Sequence, residues 1–191
     1  VDPTWVAESG TDNPVYANSA AAKAAVGPVA TSDYTGALVP ATQVLVAWVE
    51  QRTSPYQSGN GIYGVVVSEA GAIVSGGPLA IATGDYGQSR PAVAYTAGKW
   101  LVAWTDNQGQ GTFVRAAVLT QADPRVQTNV VIDDDPTGVG AVAAGSDGTR
   151  FHVVFSADGN GKDVFLASVS TVGALVAGPV NVTNAAGDQR T

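Results

Sequence analysis

Four aspartates recur at one place in a repeating pattern, and they are the first residues of this sequence that could bind a ligand. The four, at successive intervals of 52, 50 and 53 residues, are Asp33, Asp85, Asp135 and Asp188. Each lies in a predicted turn, where an Asp carboxylate commonly caps the backbone two residues further on. If the turns converge at one end of a ring, the same carboxylates form an oxygen-rich site for a hard cation such as Ca²⁺. The spacing leaves both roles open.

A second candidate cation site is the segment 158–163, which reads Asp-Gly-Asn-Gly-Lys-Asp. Asp158, Asn160 and Asp163 carry side-chain oxygens at the close spacing of a calcium-binding loop. Lys162 stands where such a loop usually has an acid, which argues against ion binding. Ca²⁺ is therefore the one cofactor that the sequence suggests, and none is required.

Aromatic side chains fall into two groups with different predicted roles. Three tyrosines lie in predicted loops and are candidate contacts for a sugar or a protein: Tyr34, Tyr56 and Tyr86. Three other aromatic residues recur at one position of a strand pattern: Trp48, Trp104 and Phe155. Recurrence within a strand predicts packing between neighbouring sheets, because binding platforms usually lie in loops.

Most catalytic machineries are excluded by the inventory of reactive residues. The chain has one histidine, His152, and no cysteine, which removes multi-histidine metal centres and thiol nucleophiles. No Gly-x-Ser-x-Gly elbow or phosphate-binding Gly-Lys loop occurs. His152 alternates with Phe151, Val153 and Phe155, so we expect it on the other face of a strand. We assign no catalytic residue, although sixteen acids leave room for a carboxylate pair that hydrolyses glycosides.

Composition narrows the partners and the fold class. The net charge is −7, and the nine basic residues form no cluster, which argues against a nucleic-acid partner. No segment approaches the roughly 18 apolar residues of a membrane helix, so we expect no membrane insertion. With 45% apolar residues the chain can bury a core, and its 23 Gly and 10 Pro punctuate many short elements, as in all-β proteins.

Short apolar strands recur along the chain. Three of them span residues 44–48, 100–104 and 151–155, and their last aromatic residues are 56 and 51 residues apart. Each is followed by a Gly- and Asn-rich hairpin signal and a second strand. A Gly-Pro pair then opens a further strand at residues 27–28, 77–78 and 178–179, where a proline is tolerated at the first strand position. A fourth strand, such as 91–95, leads into the next apolar run.

Units of four antiparallel strands repeated in this way are typical of β-propeller blades. We predict an all-β protein in which residues 1–191 form a single domain of four blades. The predicted blades cover residues 1–36, 37–88, 89–138 and 139–191. Two β-sandwich domains, or a fragment of a larger propeller, are the alternatives.

The repeats resemble those of secreted bacterial β-propeller-type proteins. Residues 45–50 read Leu-Val-Ala-Trp-Val-Glu, residues 61–64 Gly-Ile-Tyr-Gly, and residues 77–80 Gly-Pro-Leu-Ala. Residues 84–94, Gly-Asp-Tyr-Gly-Gln-Ser-Arg-Pro-Ala-Val-Ala, complete the pattern. The four-blade count is similar to that of hemopexin-like domains in architecture alone. The resemblance implies an exported protein, located outside the cell or at its surface.

From the missing catalytic inventory we expect a non-catalytic extracellular module that presents loops for adhesion or scaffolding. Its predicted partner is a carbohydrate or a protein, as for a lectin or an adhesin. The alternative is a secreted hydrolase of the glycosidase type, or the propeller portion of one. A closed four-bladed monomer is the favoured assembly. A homodimer is the alternative, because a first blade without its inner strand would leave an open sheet edge.

Overall fold

The computed structural model describes residues 25–32, 42–54, 57–84, 86–125, 127–135, 138–159 and 161–183. Within these ranges the regular secondary structure consists of twelve β-strands. In the same ranges, a helix with the length and apolarity needed to span a membrane is absent. The predicted all-β fold class is confirmed.

The strands form three four-stranded antiparallel sheets. Sheet A contains β1 (Ala25–Ser32), β2 (Gln43–Ser54), β3 (Gln57–Ser68) and β4 (Leu79–Ala82). Sheet B contains β5 (Gly87–Thr96), β6 (Lys99–Asn107), β7 (Thr112–Thr120) and β8 (Gln127–Asp133). Sheet C contains β9 (Val142–Ser146), β10 (Arg150–Gly159), β11 (Gly161–Ser170) and β12 (Leu175–Asn181). Strands adjacent in sequence pair within each sheet, so each sheet is a meander of the predicted kind.

Burial along the strands shows which sheet lies in the middle. β6 buries six consecutive residues, from Trp100 to Thr105. A strand that is buried on both faces is covered on both sides. β12 instead consists of exposed and half-buried residues along its whole length. Sheet B is therefore central among the described residues, and sheet C is outer.

Two apolar clusters join the sheets face to face. The cluster between sheets A and B includes Leu45, Ile62, Trp100 and Trp104. The cluster between sheets B and C includes Leu101, Val114, Phe151 and Val153. Because sheet B packs through both faces, the three sheets form one stack, which differs from two separate β-sandwiches. The first strands β1, β5 and β9 contact one another in turn, as inner strands do in a propeller.

The recurring aromatic residues lie where the sequence predicted them. Trp104 is buried between sheets A and B, and Phe155 is buried between sheets B and C. Each points from the second strand of its sheet toward the preceding sheet. Trp48 is also buried, at the equivalent position of β2. The prediction that these aromatic residues pack between sheets is confirmed for Trp104 and Phe155.

Two strand predictions based on Gly-Pro pairs were wrong, and one of them is Gly178-Pro179, which lies inside β12 rather than at its start. The Gly27-Pro28 pair was predicted to open the last strand of a blade covering residues 1–36, but β1 pairs with β2 as the first strand of sheet A. The pairing of β1 shifts register between Val26 and Val29. β5 shifts register at the equivalent place, around Arg90 and Pro91. A proline lacks a backbone N–H, so a bulge accommodates it as readily as a strand start, and the dipeptide alone does not distinguish the two.

The number of blades and the extent of the domain remain predictions. The described residues form three sheets that do not close into a ring. Most of the predicted first blade, residues 1–36, lies outside the described residues. The structure therefore establishes repeated four-stranded sheets in a propeller-like stack.

Candidate functional site

A cleft of about 420 Å³ lies between sheets A and B. The crossover from β4 to β5 supplies Thr83 and Gly84 to its wall, and all four strands of sheet B contribute further side chains. Gly87, at the start of β5, pairs with Asn107 at the end of β6, so the crossover lies at the end of the sheet that carries the β6–β7 hairpin. The cleft has the size of an ordinary small-molecule site.

Asp106 is the carboxylate in this cleft, and two amides position it. Its Oδ1 accepts a hydrogen bond of 2.9 Å from Gln88 Nε2, and its Oδ2 accepts one of 2.9 Å from Gln108 Nε2. Gln88 is 3% exposed, and it too lines the cleft. Since a carboxylate only accepts, Asp106 sets the orientation of the Gln88 amide. The carboxylate is therefore held in one place at the edge of the cleft.

Trp104 and Arg115 are cross-strand neighbours on the wall of the same cleft. Trp104 is 5% exposed, and its indole Nε1–H has no hydrogen-bond partner among the described residues. The Arg115 guanidinium donates to Asp134 Oδ1 at 2.6 Å and to the Asp133 carbonyl at 3.1 Å. It also lies 5.1 Å from the centre of the Phe113 ring. The cleft thus combines an aromatic ring, an oriented cation and an oriented carboxylate.

Asp133 ends β8 beside Arg115, and its environment favours the protonated acid. Burial raises the pKa of the Asp133 carboxyl above its usual value, and the nearby charges of Asp135 and Asp134 act in the same direction. A hydrogen bond from the Asp135 backbone N–H and the charge of Arg115 oppose this shift without reversing it. A carboxyl with a raised pKa is suited to donating a proton.

Of the four turn aspartates, only Asp135 lies within the described residues. It is exposed, and its backbone N–H donates to Asp133 Oδ1 at 3.2 Å. The carboxylate that caps this turn is thus that of Asp133, two residues before the position that the repeat indicated. Asp33, Asp85 and Asp188 lie outside the described residues, so the ring of carboxylates stays a prediction.

The 158–163 segment divides its acids between the two faces of the β10–β11 hairpin. Asp158 pairs with Lys162 across the hairpin, at 2.6 Å, and both are partly exposed. Asp163 pairs with Ala157 on the opposite face, is fully buried, and accepts from Asn181 Nδ2 at 2.7 Å and from Thr183 at 3.2 Å. The structure therefore does not bring Asp158 and Asp163 together. Asn160 lies outside the described residues.

Metal binding stays a prediction for this protein. In the part of the chain that the structure describes, no three His, Asp or Glu side chains are grouped so that they could hold a metal ion. The Ca²⁺ hypothesis now depends on the turn aspartates at positions 33, 85 and 188.

Tyr86 is the one predicted ligand-binding tyrosine within the described residues. It is 51% exposed and lies in the crossover between the cleft residues Gly84 and Gln88. Its ring approaches Gly109 of the β6–β7 hairpin. A ligand contact by Tyr86 therefore remains a prediction. Tyr34 and Tyr56 lie outside the described residues.

His152 lies on the face of sheet C opposite Phe151, Val153 and Phe155, as the alternation predicted. Its Nδ1 lies 3.1 Å from Ser168 Oγ, and its Nε2 lies 3.1 Å from Asp147 Oδ2. The side chain is thus engaged in a hydrogen-bonded chain on the sheet surface, away from the cleft.

The sequence prediction missed Asp106, Gln88 and Arg115. One signal for Asp106 was present, because an acid follows the recurring tryptophan by two residues in both Trp48-Val-Glu50 and Trp104-Thr-Asp106. In the structure Glu50 is buried, whereas Asp106 lines the cleft. Strand alternation cannot distinguish a buried acid from a cleft acid, since it gives the face of the strand but not what packs against that face.

Comparison with known proteins shows similarity in structure but not in sequence. No protein-family model matches the chain, and no curated protein matches it. A solved structure, the crystal structure of a thermostable family-43 glycoside hydrolase, is similar with a TM-score of 0.56 and 14% sequence identity. The match covers 93% of this chain and 64% of that enzyme, which is a five-bladed β-propeller. At this identity the similarity shows the fold, and the chain spans less than two thirds of the enzyme.

The leading functional expectation, a non-catalytic binding or scaffolding module, is contradicted by this comparison. The structural neighbour is a glycoside hydrolase, which favours the hydrolase alternative instead. The sequence left this alternative open but gave no motif that favoured it, because glycoside hydrolysis needs two carboxyl groups that the fold brings together rather than a local motif.

Proposed function

We propose that this chain is a glycoside hydrolase, or the propeller portion of one, that binds its substrate in the cleft between sheets A and B. The observation that carries the proposal is the oriented Asp106 carboxylate beside Trp104 and Arg115 in that cleft. The propeller-like fold shared with a family-43 glycoside hydrolase supports the same assignment.

The lining of the cleft suits a carbohydrate. Sugars present hydroxyl groups that donate and accept hydrogen bonds, and apolar ring faces that stack on aromatic side chains. Asp106 and Arg115 supply an acceptor and a set of donors at fixed positions. Trp104, Ile81 and Val131 supply apolar surface. A few oriented polar groups on an apolar wall are typical of small-molecule sites.

Asp106 and Asp133 are the carboxyl groups that we assign to the reaction. Asp106 is the penultimate residue of β6 and Asp133 is the last residue of β8, two strands apart in sheet B, so their Cα atoms lie about 10 Å apart at about 4.8 Å per strand. Asp106 lines the cleft, whereas Asp133 lies outside the lining, beside the lining residue Arg115. Carboxyl groups about 6.5–9.5 Å apart serve inverting hydrolysis, in which one protonates the leaving oxygen and the other activates water. The raised pKa of Asp133 suits it as the acid, and the amide-anchored Asp106 suits the role of base.

A panel of aryl glycosides and polysaccharides tests the assignment. We expect measurable turnover of at least one substrate, and a loss of about 100-fold or more in kcat for Asp106→Asn, as for removal of a general base. Asp133→Asn should lose activity mainly on substrates with poor leaving groups, because an aryl group that departs easily needs no acid. Asp123→Asn, an exposed carboxylate in a turn away from the cleft, serves as the matched control.

No turnover across the panel would contradict the proposal. Equal activity of wild type and Asp106→Asn on a cleaved substrate would also contradict the assignment of Asp106. Unfolding curves of each variant separate a loss of chemistry from a loss of folded protein.

A further inference from the structure

A row of apolar residues crosses each sheet on the face that points toward the next sheet. In the second strand of each sheet, the member of this row is the residue directly before the recurring aromatic residue. In sheet A it comprises Val29, Ala47, Gly64 and Leu79. In sheet B it comprises Ala92, Ala103, Ala116 and Val130. In sheet C it comprises Ala143, Val154, Leu166 and Val180.

The first two rows are buried by the following sheet, whereas the third is exposed. Ala47 is 0% exposed beneath sheet B, and Ala103 is 0% exposed beneath sheet C. The equivalent Val154 of sheet C is 37% exposed, and Val180 of the same row is 56% exposed. Among the described residues, none covers this face. This row carries the apolar pattern of an interface in a place where the other two sheets have one. The next row on the same face is polar, with His152 opposite Ser168.

We propose that this face of sheet C, centred on Val154, pairs with the same face of a second copy of the chain. A two-fold axis through the centre of the row would stack the two sheets face to face, at about the 10 Å separation usual for packed sheets. Such an interface is isologous, so the same residues contribute from both copies. The proposal is independent of the proposed hydrolase activity, since the cleft lies between sheets A and B.

The charges on the same face are arranged in a way that suits a two-fold axis. Arg150 and Asp158 lie on β10, each four residues from Val154 and on the same side of the strand. A two-fold axis that runs the β10 strands of the two copies in opposite directions places Arg150 of one near Asp158 of the other. Arg150 has only a distant pairing with Asp147, at 3.8 Å, and is 47% exposed, so it has donors to offer. Asp158 is 57% exposed while paired with Lys162.

The size of the face sets the expected affinity. Four strands spaced by about 4.8 Å and about eight residues long give a surface on the order of 500 Å² per copy. Stable complexes usually bury about 800 Å² per partner, so this interface belongs to the weaker class. We therefore expect a dimer that forms in the micromolar range and dissociates on dilution.

Sedimentation equilibrium and light scattering of the full 191-residue chain test the proposal. We expect a mass that rises with concentration from 19.2 kDa toward twice that value. Val154→Glu should abolish the dimer, because two carboxylates would be buried against each other. Arg150→Glu should weaken the dimer at least tenfold, because it places an acid near Asp158 of the other copy. Val74→Glu is the matched control, since Val74 is an exposed valine, at 48%, outside sheet C.

Each result supports or overturns the proposal. Association that is lost in Val154→Glu and retained in Val74→Glu supports it. A monomer at every concentration would overturn it, and would mean that another part of the chain or a different partner covers the face. A dimer that persists unchanged in both Val154→Glu and Arg150→Glu would assign the interface to another surface. Circular dichroism confirms that each variant is folded.

Discussion

Asp147 shows how one exposed carboxylate can organise a turn and a strand. Its Oδ1 accepts hydrogen bonds from the Thr149 hydroxyl at 2.7 Å and from the backbone N–H groups of Thr149 and Arg150 at 2.8 and 2.9 Å. Its Oδ2 lies 3.1 Å from His152 Nε2. The Thr149 hydroxyl, then these backbone donors and His152, lower the pKa of the Asp147 carboxyl far below its ordinary value of 3.8.

The lowered pKa of Asp147 predicts that acid reduces the stability of the folded protein. The ionised Asp147 stabilises the folded state at pH values above about 4, the pKa range of an unfolded Asp. This stabilisation is lost as the pH falls from there toward the lower pKa of the folded state. We therefore expect the free energy of unfolding to fall less between pH 5 and pH 2 in Asp147→Asn than in wild type. Urea unfolding at several pH values measures the difference.

Thr149→Val is the control for this pH dependence. It removes the hydroxyl that contributes most to the lowered pKa and keeps the shape of the side chain. We expect it to reduce the acid-dependent loss of stability in part. Identical pH dependence in wild type and Asp147→Asn would contradict the role assigned to the carboxylate.

Trp104 is the residue whose loss should cost the most packing energy. It is 5% exposed and lies in the cluster that joins sheets A and B. Trp104→Ala should destabilise the fold by about 3–5 kcal/mol, as is usual when a large aromatic side chain is removed from a core. Urea unfolding measures this value, with Tyr86→Ala as an exposed aromatic control expected to stay within about 0.5 kcal/mol. A change below about 1 kcal/mol for Trp104→Ala would mean that the strand faces are wrongly assigned.

At the element scale, Gly64 shows why a strand position can require glycine. It lies in β3, and a Cβ there would meet Ile81 Cδ1 at 2.9 Å and the Val46 carbonyl oxygen at 3.0 Å. Gly64→Ala should therefore destabilise the protein by about 1–3 kcal/mol through overpacking. Thermal and urea unfolding test this expectation.

Gly145 of β9 is the matched control for Gly64. A Cβ at Gly145 would meet no atom within 4 Å, and both glycines lie inside strands. We expect Gly145→Ala to be neutral or slightly stabilising, because alanine restricts the unfolded chain more than glycine does. Equal effects of the two substitutions would show that the close approach of β2 and β4 does not constrain Gly64.

The strands were largely predictable from sequence, because their signals are local. Alternating apolar residues and Gly-Asn hairpin signals located β2, β6 and β10 and the strands that follow them. β1 was misassigned because Gly27-Pro28 fits both a strand start and a bulge, and only the pairing with β2 separates the two. Local sequence patterns therefore predict where strands form better than they predict which sheet each strand joins.

The candidate site was far less predictable, because it depends on the whole molecule. Asp106, Gln88 and Arg115 come from three strands of sheet B, and the cleft exists only because sheet A packs beside them. The turn aspartates were predicted as a site because of their regular spacing. That spacing indicates the structural repeat and carries no information about the shape of a cavity. The proposed function rests on the arrangement of the sheets, which sequence periodicity describes only in outline.

The most direct test of the proposed carbohydrate site is a nitrogen-15 NMR titration that follows the indole N–H signals. The chain has four tryptophans, of which Trp104 lines the cleft while Trp100 is fully buried outside the lining. The Asp106→Asn variant would be titrated with an oligosaccharide that wild type cleaves, with signals assigned from Trp104→Phe and Trp100→Phe. We predict a saturable shift of the Trp104 signal and an unchanged Trp100 signal. Saturable sugar binding that leaves the Trp104 signal unmoved would contradict the account.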